Sequence, residues 1–206
     1  MHAVVLVRGR RGLRSAPAAL LALALAAVAG LAVPQKAEAA RRLPPGVSCV
    51  ESGPYAVVSQ NSVAAIPGDT IVARLRAGSA APCSTDVGPG DIQIAGPSDN
   101  LMLMGAASGY AVLDSGDTDP PRTLSIYDIV RQQVVWSGLH VGEWPVVKAT
   151  GVTFMLYDGE ATRETCPEFD AITARQFTPA IVERSVYDFE TRTLTRLGPK
   201  KCEGLQ

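Results

Sequence analysis

The sequence predicts an all-β domain, and three observations carry that expectation. Short runs rich in Val, Ile, Tyr, Phe and Thr recur between clusters of Gly, Pro, Asp and Ser. Beyond residue 40 no segment holds apolar residues at helical spacing over any length. Four cysteines, Cys49, Cys83, Cys166 and Cys202, supply the cross-links that loop-rich β-domains in oxidising compartments use.

The N-terminal 39 residues stand apart from that pattern and read as a helical signal peptide. Arg8, Arg10, Arg11 and Arg14 form a cationic start, residues 18–33 are an uncharged run dominated by Ala and Leu, and Pro34 ends it. Ala37 and Ala39 place small residues where a signal peptidase needs them, which sets the cut before Ala40. The run is short for a membrane anchor, which needs roughly 20 predominantly apolar residues. Arg10-Arg11 is a partial twin-arginine signal, so the export route stays open. Cys49 lies too far from the cut, after Gly46-Val47-Ser48, to be a lipoprotein cysteine. The expectation is a periplasmic or secreted protein with no membrane span after cleavage.

Cleavage changes the charge. The signal takes five of the 19 basic residues, Arg8, Arg10, Arg11, Arg14 and Lys36, and one of the 20 acidic ones, Glu38, leaving 14 against 19 and a net charge of −5. An acidic domain without a Lys/Arg cluster has no electrostatic means of neutralising phosphates, which argues against nucleic acid as a partner. The remaining length suits a linker over residues 40–48 and one disulfide-bearing β domain over 49–206.

Four cysteines allow three pairings. Cys49 with Cys83 and Cys166 with Cys202 is the favoured one, because each pair brackets one end of the chain. Zinc is the competing reading, but the cysteines lack C-x-x-C spacing and the mature part offers only His140.

Strands are expected at residues 54–59, 70–76, 91–95, 109–113, 124–128, 133–137, 152–157, 182–187 and 193–197. Residues 169–177, hemmed by Pro167 and Pro179, hold at most one short helix or turn. Ser125-Ile126-Tyr127-Asp128-Ile129 returns as Ser185-Val186-Tyr187-Asp188-Phe189, each followed by a polar turn and another strand. The aspartate is placed to bond backbone amides two residues on and turn the chain. A strand that ends in aspartate precedes each copy, at Asp114 and Asp158, so the repeating unit has at least three strands.

At these residues the chain resembles a β-propeller blade. It also resembles a family of uncharacterised exported bacterial β-proteins, through Asp114-Ser115-Gly116, Arg122-Thr123-Leu124-Ser125-Ile126-Tyr127-Asp128, Cys166-Pro167 and Cys202. That likeness covers residues 105–202 and implies no activity. A closed propeller needs at least four blades of about 40 residues, so antiparallel meanders with two blade-like units, arranged as a sandwich or an irregular barrel, fit the length better.

No residue is singled out as catalytic and no cofactor fingerprint is present. A nucleophilic triad would have to be built on His140, in an expected loop after a strand, where a packing or surface role is the ordinary one. Gly105-Ala106-Ala107-Ser108-Gly109 carries its serine one place away from a nucleophile elbow. Asp158, Glu160 and Glu164 crowd a turn beside Arg163 and give a hydrolase reading its carboxylates. Asp114, Asp117 and Asp119 share a glycine-containing turn that has some of the oxygens of a calcium loop, but no closing glutamate. Among the large aromatics, Trp144, beside Pro145, is the candidate binding residue. The expectation is therefore a non-enzymatic domain that binds an unknown protein or small-molecule partner or serves a structural role. The rival is a small exported hydrolase working through Asp and Glu.

Overall fold

A computed structural model of the chain describes residues 43–61, 68–76, 83–115 and 119–206. The expected signal peptide and its cleavage site lie outside the described residues, as does Asp117.

The described chain is all-β with one short helix. Strands β1 (Val47–Ser52), β2 (Tyr55–Asn61), β3 (Asp69–Leu75) and β4 (Ile92–Ala95) form a four-stranded antiparallel meander. A second meander follows in chain order through β5 (Leu101–Ala107), β6 (Tyr110–Ser115), β7 (Arg122–Asp128), β8 (Gln133–Lys148), β9 (Gly151–Glu160), β10 (Thr178–Asp188) and β11 (Leu194–Arg196). The last strand, β12 (Lys201–Leu205), shares the outer edge of β10 with β11, one at each end, and completes an eight-stranded sheet that does not close into a barrel. Helix α1 (Phe169–Ala174) sits in the β9–β10 connection.

Side-chain alternation sends the larger sheet's apolar residues to two places. On β6, Ala111 and Leu113 join Ile129 against Val57, Ile71 and Ala73 of the smaller sheet, while Tyr110 and Val112 face the opposite way. Buried on both faces, β6 reads as an apolar run from Tyr110 to Leu113. The second face collects Leu124, Ile126, Val152, Phe154, Tyr187 and Phe189. A flat sheet would leave that face in water, so it curls: Tyr110 stacks on Phe189 with ring centroids 4.8 Å apart, and Arg192 Nε donates to the Tyr110 hydroxyl at 3.0 Å. Where β5 approaches the far half of β8, Gly105 is needed, because a Cβ there would lie 3.0 Å from Val147.

The two copies of the Ser-[Ile/Val]-Tyr-Asp motif fall on β7 and β10, and their turns are built alike. Asp128 Oδ1 accepts the Arg131 amide, Asp188 Oδ1 accepts those of Glu190 and Thr191, and the fourth residue after each aspartate, Gln132 or Arg192, has positive φ. Their tyrosines differ. Tyr127 packs toward the smaller sheet, whereas Tyr187 lies in the core of the other face.

Two expectations about β8 are corrected. His140 lies within a strand and is fully buried, and Trp144-Pro145 is also inside β8, which continues for 16 residues. Gly142 and Pro145 interrupt the ladder without ending it: between Val141 and Val146 five steps on β8 span two on β9, and this looped-out stretch is where a proline lacking its N–H is tolerated.

Both disulfides are present, Cys49–Cys83 and Cys166–Cys202. They point to an oxidising, extracytoplasmic environment. The second pins β12 to the segment before α1, where Cys166 packs with Ile172 and Phe177. It closes a loop of 36 residues, so Cys166→Ser/Cys202→Ser is expected to cost roughly 4 kcal/mol in the loop-entropy model. Urea unfolding of the variant beside the wild type measures it.

Candidate functional site

Three adjacent strands of the larger sheet bring ionisable side chains to one spot. Asp114 on β6 pairs in register with Leu124, and Arg122, two residues before Leu124 on β7, pairs with His140 on β8. All three polar residues therefore stand on the face that carries Leu124, Ile126 and Phe154, at the end of that apolar surface. Asp114 and His140 have no exposed surface. Arg122 Nη2 lies 3.2 Å and His140 Nε2 lies 3.3 Å from Asp114 Oδ2. Neither approach has hydrogen-bond alignment, and the Asp114 oxygens and both His140 ring nitrogens have no hydrogen-bond partner. The attraction between Arg122 and Asp114 is thus chiefly that of opposite charges in a poorly screened interior.

Arg122 carries this buried arrangement to the surface. Its guanidinium carbon lies 5.2 Å from the centre of the Trp144 ring, a cation–π distance. Trp144 is 61% exposed, which is unusual for so large an apolar group with a fixed partner. The looped-out stretch of β8 pushes the indole outward and Arg122 supports it from beneath. Beside it is a depression of about 270 Å³ lined by Asn61 and Asp69 of the smaller sheet and by Met102, Leu103 and Met104 of β5. Met102 is the in-register neighbour of Asp114, so depression and buried ion pair share a wall.

Two of the three carboxylates of the calcium reading fall in the described residues. Asp114 is turned inward to Arg122, Asp119 is exposed, and Asp117 lies outside the described residues. Cys166, Glu168 and Cys202 come within metal-binding distance of one another, but the two sulfurs are joined in a disulfide.

A second depression, of about 770 Å³, is lined by Asp158, Glu160, Glu168, Lys200, Lys201 and Cys202, among others. Here the hydrolase reading finds two of its carboxylates, while Glu164 stands apart, its pKa lowered by a hydrogen bond from Thr162. Hydrogen bonds from Lys200, then Arg196, hold Asp158 below the usual carboxylate range. Arg196 also reaches Glu183 at 2.8 Å. A general acid needs the opposite shift, toward the working pH.

Sequence reasoning singled out Trp144 and Asp114 separately and set His140 aside; the structure links all three through Arg122. The usable signal was Arg122 itself, a charge directly before an alternating apolar strand.

No family model, curated protein or solved structure matches this chain. Among the described residues no helix is long and apolar enough to cross a membrane.

The sign of the Asp158 shift gives a test. A carboxyl with a depressed folded pKa adds stability above its unfolded value, about 3.9, and that stability is lost as pH falls through the folded value. Asp158→Asn is expected to flatten the fall of melting temperature below about pH 4, followed by circular dichroism across pH 2–6.

Proposed function

We propose that this protein is an exported, non-enzymatic β-domain of the periplasm or extracellular space that binds a ligand at the depression beside Trp144. One observation carries the reading: an indole that is mostly in solvent is nonetheless held in place, stacked on Arg122, whose charge is answered by buried Asp114. Such preordering lowers the entropic cost of binding. Core packing alone would have buried the ring, and a solvated loop would have left it without support.

The architecture in this reading is a pair of propeller-blade-like meander units within one curled sheet, each marked by an aspartate-capped turn at Asp128 or Asp188. The units serve as a rigid frame, and the site lies on the face toward β5 and the smaller sheet. The rival, a small exported hydrolase working through Asp and Glu, draws on the size of the depression around Asp158. The cationic clamp on Asp158 weighs against it.

Fractions of envelope extract, separated into proteins and small molecules, provide the test by differential scanning fluorimetry on wild type and Trp144→Ala. A ligand at a hundredfold excess over its Kd stabilises by about 2.7 kcal/mol, a shift of roughly 5–10 °C for a chain of this size. One fraction is expected to give that shift to the wild type and little to the variant. Equal protection of both, or protection by no fraction, would contradict the reading.

A further inference from the structure

The depression beside Trp144 has a donor set of its own. Met102 and Met104 stand two apart on β5, Met104 being the extra residue of the bulge between Leu103 and Gly105, and both residues line the depression. Asp69 lines it from the smaller sheet and is 6% exposed. Its Oδ2 accepts the Leu103 amide at 3.1 Å, which fastens the carboxylate to the strand that bears the two methionines. Its Oδ1 is buried without a hydrogen-bond partner. A buried carboxylate oxygen left this way costs stability that an arriving cation returns.

The donors select the kind of cation. Calcium takes six to eight oxygens and magnesium keeps an octahedral oxygen shell, whereas structural zinc favours thiolate and imidazole. Thioether sulfur is soft, uncharged and polarisable, and among biological metals it favours Cu(I). One carboxylate balances one positive charge, and an indole face attracts a cation without adding a ligand atom. The nearby guanidinium of Arg122 is already answered by Asp114. We propose that the depression binds a soft monovalent metal ion, Cu(I), through the sulfurs of Met102 and Met104 and the free oxygen of Asp69, with Trp144 as its lid. This rests on the reading of that depression as the ligand site and names its ligand.

Ag(I) is the probe, a redox-inert ion of the same charge. With both disulfides formed the protein offers no free thiol to compete, and Met155, which packs against a separate apolar cluster, serves as an internal control. The purified protein is titrated with Ag(I), and with Cu(I) under anaerobic conditions, while tryptophan fluorescence and melting temperature are followed. The expected result is one equivalent bound at micromolar or lower concentration, with quenching and a raised melting temperature, and no response to equal Ca(II) or Zn(II). Met102→Leu/Met104→Leu, which conserves volume, is expected to weaken binding at least tenfold. Asp69→Asn weakens it severalfold and Met155→Leu leaves it unchanged. Ag(I) affinity unaltered by the double methionine change, or no Ag(I) binding by the wild type, overturns the inference. If Ag(I) fails while an envelope fraction still protects the wild type and not Trp144→Ala, the metal is wrong and the ligand site stands. If neither protects, both fall.

Discussion

The Asp114 carboxylate lies in the interior of a β-sheet, and a buried charge of that kind persists only if an opposite charge is brought to it. Arg122 meets the need from the neighbouring strand and His140 approaches from the next. Because faces alternate along a strand, slipping β7 by one residue against β6 would turn Arg122 to the wrong side and leave Asp114 alone. Apolar cores tolerate exchange among residues of similar volume; a buried ion pair does not tolerate the loss or displacement of one partner. It therefore sets the register of β6, β7 and β8, and the apolar residues of the same face follow: Val112, Leu124, Ile126 and Phe154.

Two further features depend on that register. The sheet curls around those residues until Tyr110 stacks on Phe189, and Arg122 is left with its outer side toward the looped-out stretch of β8, under Trp144. The indole is thus fixed from within. The acidic depression around Asp158 is organised differently, by surface cations that satisfy its carboxylate. One site has its charges answered; the other keeps a buried oxygen of Asp69 without a partner beside two thioethers. That difference makes the smaller depression the better candidate for binding.

Much of this was legible from local pattern. Strands rich in Val, Ile and Tyr announced themselves, as did the aspartate turns at Asp128 and Asp188 and the cysteine pairing. β5 did not: Leu101 to Ala107 has no β-branched residue, and its strand character comes from pairing with β6 and packing on the smaller sheet. β12, with a glycine and two charges in five residues, is a strand because Cys202 is tied to Cys166 and β10 has a free edge. Gly142 and Pro145 suggested a loop where the chain in fact makes a bulge, since β9 on the far side keeps β8 in the sheet. The site was harder still. Its residues come from β2, β3, β5, β6, β7 and β8, and no spacing along the chain encodes which faces meet when two meanders pack together.

The ion pair can be measured directly by a double-mutant cycle on Asp114→Asn and Arg122→Met, with unfolding free energies from urea titration. Each single change leaves a polar or charged group buried without its partner, at a cost of about 3–5 kcal/mol for the stranded charge. The double change removes both charges, so the account predicts a coupling energy of roughly 1.5–3 kcal/mol. Additive costs, with coupling below about 0.5 kcal/mol, would contradict it.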